Sequence, residues 1–198
     1  MLERFVDLWQ RLEGKEDPFR LYGTLDELYS QPHRHYHNWN HIDHCLTELE
    51  DAPVAKDHDQ IEFDIWLHDS IYLTLGKDNE KKSAELATDI CIRNCFSDSF
   101  TRKSYDMILA TRHDKEPKDE DTKLLLDIDL SILGQPYDMF KRYEKNIRKE
   151  NWWIPEPFYR KKRKKFMVRF LERDRIYHTE YFREIYEARA RKNIKSLL

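Results

Sequence analysis

The sequence places an adjacent histidine and aspartate, His68 and Asp69, in a segment that is apolar on more than one helical face. If residues 59–73 form a helix, Phe63 and Trp66 share one face, and further apolar residues form a second. Such a helix is expected to be buried together with its ionisable side chains. Buried ionisable groups are costly unless they are paired or bind a metal. The pair therefore indicates either metal ligands or a core histidine beside a surface aspartate.

A second carboxylate falls within an apolar segment at residues 124–133. On a helical wheel, Asp129 lies in the centre of the apolar stripe. The stripe consists of Leu125, Leu126, Ile132 and Leu133. A carboxylate that points into a core requires a cation, and a metal ion is the simplest one. Asp127 is predicted to point the other way, beside Ser131, as a surface residue or as a support for the ligands.

Histidines are concentrated early in the chain, where five of the nine fall between residues 33 and 44. If a helix starts near Trp39, His41 borders its inward apolar stripe and is the predicted ligand. His37 precedes His41 by four residues and shares its face if the helix starts earlier. The other three histidines are interpreted as residues without a specific metal role. They are His33, His35 and His44.

His41, His68, Asp69 and Asp129 together form the predicted ligand set for one divalent metal ion. Imidazoles mixed with carboxylates suit Mn, Fe, Co, Ni, Zn or Mg. Four protein ligands on an octahedral ion leave positions for water and for a phosphate oxygen. A metal lowers the pKa of bound water to about 7 and neutralises charge on a phosphoryl group. The set therefore predicts a hydrolytic centre.

Helices must position these residues, because helical periodicity recurs along the whole chain. With only 4 Gly and 7 Pro, the chain has little material for the tight turns of a sheet-rich fold. We predict an all-α fold and a single helical domain over residues 1–198. The predicted helices cover about 2–13, 18–30, 39–50, 59–73, 80–96, 102–113, 119–133, 136–150, 156–172 and 178–196.

The composition limits which classes of partner, and which cellular compartment, are expected for this protein. The formal net charge of −3 gives no overall attraction to nucleic acid or to a membrane. The apolar stretches are too short for a transmembrane helix, and the first residues lack the apolar core of a signal peptide. Three cysteines are too few, and odd in number, for a disulfide framework. We expect a cytoplasmic protein, while its oligomeric state is not indicated.

These motifs resemble the HD superfamily of metal-dependent phosphohydrolases, in which the order His, His-Asp, Asp holds the metal. The chain is similar, more narrowly, to a bacterial group of predicted HD-type phosphohydrolases of about this length. The similarity begins near residue 20 and reaches the C-terminus. The matching stretches are 34–42, 66–72, 79–80, 83–84, 108–113, 127–134, 147–150, 163–171 and 188–193.

The resemblance implies an HD-type helical bundle with the same four metal ligands. It also implies that an acidic residue shortly after the His-Asp pair orients or deprotonates the attacking water, and Glu80 has that place here. The alternative for Glu80 is a carboxylate favoured by a helix N-terminus. Asp69 is a second candidate for the general base. The chain departs from the group at Asn151, where the group has tyrosine.

Four further residues are candidates for binding substrate. Arg148 and Arg163 offer bidentate guanidinium groups that suit phosphate. The resemblance favours a place in the pocket for His113, and His37 is available beside His41. The alternatives are a histidine at a helix end and arginines that are solvated or paired with acids. The basic run at residues 160–165 is interpreted mainly as a solvated helix face, so nucleic acid is not expected as a partner.

The leading functional prediction is a metal-dependent phosphohydrolase that acts on a small phosphomonoester or a nucleotide through attack by metal-bound water. The main alternative is a non-catalytic module that binds a nucleotide or metal and relays a signal. A di-iron oxygenase would need more histidine ligands than the sequence comfortably supplies. An RNA-binding role would show steep salt dependence.

Overall fold

Helices form all the regular secondary structure of residues 1–52 and 55–198, the part of the chain that the computed structural model describes. The prediction of an all-α fold is confirmed. The α-helices are α1 Leu2–Arg11, α2 Pro18–Tyr29, α3 Trp39–Asp51, α4 His58–Leu67, α5 Asn79–Arg93, α6 Asp98–Ala110, α7 Glu120–Leu130, α8 Tyr137–Glu150, α9 Glu156–Leu171, α10 Glu180–Phe182 and α11 Ala188–Lys195. A 3-10 turn, Ser131–Gly134, follows α7, and a π-helical turn, Arg183–Glu187, joins α10 to α11.

The helix predicted at 59–73 ends at Leu67, so His68 and Asp69 follow the helix instead of lying within it. The reason is local competition for carbonyl groups. The His68 Nδ1 atom lies 2.9 Å from the Ile65 carbonyl oxygen, and the Ser70 hydroxyl donates to the Leu67 carbonyl at 2.7 Å. Side-chain donors that take up main-chain acceptors favour a turn over another helical turn. The His-Asp pair therefore lies on a tight turn at the end of a buried helix.

Helix α4 lies at the centre of the fold, as its apolar character on several faces predicted. Every residue from Gln60 to Leu67 is buried, and α4 packs against α1, α3, α5, α6 and α7. Trp66 packs edge-on against Phe5, while the buried Tyr29 hydroxyl donates to the Trp66 carbonyl. Because neighbours surround α4 on all sides, its C-terminal end has a fixed position among them.

Asp127 is buried, so its interpretation as a surface residue is wrong. Its carboxylate accepts hydrogen bonds from the main-chain amides of His178 and Thr179, both at 2.7 Å, and from the Thr179 hydroxyl. Thr179 in turn caps α10. Asp127 thus anchors the C-terminal helices to α7. Burial raises the pKa of Asp127 to about 6, although these hydrogen bonds favour the ionised form.

Within the described ranges, no helix is both long enough and apolar enough to cross a membrane.

Gly134 allows the 3-10 turn to pack closely against the π-helical turn. A Cβ atom at this position would overlap the Cβ atom of Tyr186. We expect Gly134→Ala to lower the free energy of unfolding by about 1–3 kcal/mol, because the two backbones must separate. Gly23→Ala is the matched control, since a Cβ atom there meets open space in the middle of α2. That change should stabilise the protein by up to about 1 kcal/mol. Denaturant unfolding measures both, and an unchanged Gly134→Ala protein would contradict the close packing.

Candidate metal centre

Three helices bring the four predicted metal ligands to one place. His41 lies in the first turn of α3, which Asn38 caps, and Asp129 is the penultimate residue of α7. His68 and Asp69 reach the same point from the end of α4. The His41 and His68 Nε2 atoms are 3.1 Å apart, and each lies 3.2 or 3.3 Å from Asp69 Oδ2. Asp129 Oδ1 lies 3.3 Å from the first Nε2 atom and 3.7 Å from the second.

This arrangement has the dimensions of a metal site. Metal bonds to nitrogen and oxygen of about 2.1 Å place neighbouring ligand atoms about 3.0–3.4 Å apart in octahedral or tetrahedral geometry. The tautomer of His68 also fits, because the Ile65 carbonyl can only accept and therefore requires the proton on Nδ1. The His68 Nε2 lone pair then points at the other ligand atoms, as ligating histidines require. The residues fit a divalent cation.

The electrostatics of the cluster favour a cation in the same place. Burial alone would raise the pKa of Asp69 and of Asp129, but the surrounding imidazoles outweigh it and hold both values well below the ordinary range. Both carboxylates are therefore ionised at neutral pH. Burial would likewise lower the pKa of His41 and of His68. The pKa of His41 is nevertheless raised by Cys45, Tyr36 and the two carboxylates, and that of His68 by the two carboxylates. The cluster therefore favours positive charge at this place, whether protons or a divalent cation supply it.

His113 holds Asp129 in position. Its Nε2 atom donates to Asp129 Oδ2 at 2.8 Å, which leaves Oδ1 to face the two ligand imidazoles. The backbone of His113 is in the left-handed region, with φ 53°, and its carbonyl accepts from Arg173. The ring is buried, and its Nδ1 atom has no hydrogen-bond partner among the described residues. His113 is thus part of the site and supports a ligand.

Glu150 fixes the orientation of His37, a role that sequence reasoning did not assign. One carboxylate oxygen of Glu150 accepts from the main-chain amides of Tyr36 and His37, at 2.7 and 3.0 Å. The other accepts from His37 Nδ1 at 2.7 Å and from the Tyr72 hydroxyl at 3.0 Å. Burial opposes ionisation, but these groups, above all His37, lower the pKa of Glu150 to about 2. The His37 ring also stacks on Tyr72. The hydrogen bond to Glu150 and the stacking together determine the orientation of the ring.

Arg34 shapes the loop that carries the ligands, and it too was missed. The guanidinium is buried and donates to the main-chain carbonyls of His37, Asp69 and Ser70 at 2.6–3.1 Å. It thereby ties the segment before α3 to the turn after α4. The residue lies in a stretch that matches the HD-type group, but nothing in the local pattern distinguishes it from a surface arginine.

A cavity of about 170 Å³ opens onto the metal ligands. Asp69 and Asp129 line it together with three residues that the sequence proposed for the pocket, Glu80, His37 and His113. Arg112 lines it as well and was not singled out. Its nearest acidic partner is Asp78, at 3.8 Å, so its guanidinium is not held by a close ion pair within the described chain. The sequence could have indicated Arg112, because it lies next to His113 in a stretch that matches the HD-type group.

The other two proposed phosphate ligands, Arg148 and Arg163, are not among the residues that line this cavity. Arg163 pairs with Glu144 and donates to the Tyr143 hydroxyl. Arg148 pairs with Glu156 and donates to the carbonyls of Asn151 and Ile154, which closes the turn between α8 and α9. The guanidinium donors of both arginines are engaged in contacts that connect helices α8 and α9, so they are not free to bind a phosphate.

Cys45 is a further residue close to the centre. It follows His41 by one helical turn, and its Sγ atom lies 3.7 Å from His41 Nδ1. His41, Cys45 and Asp129 can each bring a ligand atom within 4.8 Å of the others. The sequence interpretation regarded thiolates as unnecessary, and the four-residue set fits a cation without this one.

Comparisons of the chain with models of known families, with curated proteins and with solved structures found no match. The resemblance to the HD superfamily therefore stays a prediction from the sequence motifs. Functional inference for this protein rests on the geometry of the centre and on the residues that line its cavity.

The Glu150–His37 pair predicts a specific dependence of stability on pH. Lowering the pKa of Glu150 from 4.5 to about 2 stabilises the folded state by about 3 kcal/mol when the carboxylate is ionised in both states. This contribution is complete above about pH 4.5 and is lost as the pH falls toward 2, because the unfolded chain takes up the proton first. Glu150→Gln should therefore be less stable than wild type by about 3 kcal/mol at pH 7.

The difference should shrink steadily below pH 4.5. Denaturant unfolding across this range measures it, with Glu27→Gln, an exposed glutamate of α2, as the control. A Glu150→Gln difference that does not change with pH would contradict the pairing.

Proposed function

We propose that this protein is a phosphohydrolase that cleaves a small phosphomonoester at one divalent metal ion. The observation that carries the proposal is the convergence of His41, His68, Asp69 and Asp129, two of which line a cavity. Arg112 lines the same cavity as Asp69 and Asp129. Imidazole and carboxylate ligands suit Mn, Fe, Co, Ni, Zn or Mg. Such an ion supplies Lewis acidity, which stabilises charge on phosphate and makes water more acidic.

Glu80 is the better placed of the two candidates for the general base. It lies in the first turn of α5, lines the cavity and has no hydrogen bond or ion pair among the described side chains. Asp69 is engaged by two imidazoles, and its pKa is held well below the ordinary range. A carboxylate with a strongly lowered pKa is a weak proton acceptor. Glu80 therefore accepts the proton of the attacking water, while Asp69 serves as a ligand.

Arg112 supplies the positive charge that a phosphate requires, and it offers a planar fork of donors that matches two phosphate oxygens. His37 donates a hydrogen bond from Nδ1 to Glu150, so its Nε2 atom is the one left to face the cavity. Arg112 thus takes the role that the sequence interpretation gave to Arg148 and Arg163.

Removal of one ligand tests the centre. We expect purified wild type to hold close to one divalent metal per chain, and Asp129→Ala to lower metal affinity by more than about 100-fold. Elemental analysis and metal titration followed by calorimetry measure this. Asp43→Ala, an exposed aspartate of α3, is the matched control and should keep the metal. Far-UV circular dichroism establishes that each variant folds.

The outcomes separate the candidate functions. Metal binding with turnover of a phosphomonoester such as p-nitrophenyl phosphate, both lost in Asp129→Ala, supports the hydrolase. Metal binding without turnover of any phosphoester would favour a non-catalytic binding module. An absence of specific metal binding would refute the proposed ligand set.

Glu80 is tested apart from the metal. Glu80→Gln should lower kcat by about 10²–10⁴-fold, because the general base is lost, and should leave the metal content unchanged. Glu85→Gln, an exposed residue of the same helix, should retain full activity. A Glu80→Gln protein with wild-type kcat would assign the proton transfer to another group, with Asp69 as the next candidate.

A further inference from the structure

A second hollow lies between α3 and α8, and His41 is one of the residues that line it. Its volume is about 310 Å³, larger than that of the cavity that holds the ligands. One wall carries Asn38, Asn40 and the two histidines His41 and His44. We call this hollow the α3–α8 cleft. A cavity of about 170 Å³ is below the usual size of a pocket for a whole small molecule, whereas the two hollows together fall within that range.

The α3–α8 cleft and the metal cavity adjoin. Tyr36, Ile132 and Tyr143 line both, and the metal ligand His41 lines the cleft. Tyr36 packs against the rings of His41 and Tyr143, at centroid distances of 4.8 and 4.6 Å. A substrate whose phosphate lies at the metal would therefore extend toward the cleft with its remaining atoms.

Three polar side chains of the α3–α8 cleft, those of Asn40, Arg142 and Asn146, make no hydrogen bond or ion pair with the described residues. Arg142 is exposed at the rim of the cleft. This contrasts with Arg148 and Arg163, whose guanidinium groups are occupied by acids and carbonyls. The chain thus leaves one arginine free beside the second hollow.

Arg142 is the only arginine or lysine among the described residues that line the α3–α8 cleft. The lining among these residues also includes three histidines, His35, His41 and His44, but no carboxylate. The chain as a whole has 38 acidic residues and a net charge of −3, so a lining without acids is a distinct local feature. A concave surface with amide and guanidinium donors and no acid complements an anion.

We infer that the α3–α8 cleft is a second anion subsite and that the substrate carries another acidic group, a phosphate or a carboxylate, besides the phosphate that is cleaved. The inference rests on the proposed function, because it places the first phosphate at the metal. Arg142 binds the second acidic group, and Asn40 and Asn146 donate to it or to the linker. Substrates with a single phosphate and no second acid would bind more weakly.

Non-hydrolysable phosphonates test this without turnover. We would titrate the metal-loaded protein with methylphosphonate and with diphosphonates whose two groups are joined by alkyl chains of increasing length. We expect an optimum length at which the diphosphonate binds at least about tenfold more tightly than methylphosphonate. Arg142→Gln should remove that gain and leave methylphosphonate binding unchanged. Lys145→Gln is the matched control, an exposed cation of the same helix outside the cleft.

A second variant tests whether the effect of Arg142→Gln arises in the cleft or only from the change in overall charge. Asn146→Asp places a carboxylate in the cleft and should weaken the diphosphonate while methylphosphonate binds as before. If methylphosphonate binds but no diphosphonate binds more tightly, or if Arg142→Gln keeps the gain, the subsite is refuted and the metal site stands. If methylphosphonate does not bind to the metal-loaded protein at all, the proposed function fails and the inference fails with it. If it binds but no phosphoester is cleaved, catalysis is refuted while the subsite is still decided by the diphosphonates.

Discussion

Two carboxylates and two imidazoles point at one another in the interior, and the rest of the structure depends on keeping them there. Ionised Asp69 and Asp129 lie 3.2–3.7 Å from the Nε2 atoms of His41 and His68. Buried carboxylates are unfavourable unless positive charge balances them, and protons on the imidazoles or a metal ion can supply that charge. The surrounding protein has to supply rigidity, because the ligand atoms must keep the spacing that a metal ion requires.

That rigidity comes from buried hydrogen bonds made by the residues around the ligands. Arg34 donates to the Asp69 and Ser70 carbonyls of the His-Asp turn, and His113 donates to Oδ2 of Asp129. Glu150 fixes His37 in the same manner, and Asp127 anchors the C-terminal helices to α7. Each of these residues is buried and hydrogen-bonded to another segment of the chain, so it restricts the conformation of that segment. The precision of the centre is a property of this second set of residues.

Five arginines of the chain fall into two groups with different uses. Arg34, Arg148 and Arg163 have their donors occupied by carbonyls and acids, and they hold segments together. Arg112 and Arg142 line hollows and lack close ion pairs within the described residues. An anionic substrate can approach only guanidinium groups whose donors are free. Partner availability, rather than residue type, distinguishes the arginines proposed to bind substrate.

The sequence by itself determined the all-α fold, the burial of α4 and the four residues that converge, because helical periodicity reveals which face a side chain occupies. It also brought Glu80, His37 and His113 into consideration. Only the tertiary structure decided which arginine is free, why Asp127 is buried and where α4 ends. Helix α4 ends where the His68 and Ser70 side chains donate to nearby carbonyls. The other two features depend on hydrogen bonds between residues far apart in the chain, such as Arg163 with Glu144 and Asp127 with Thr179. Local periodicity contains no information about such partners, since they are chosen by how the helices pack.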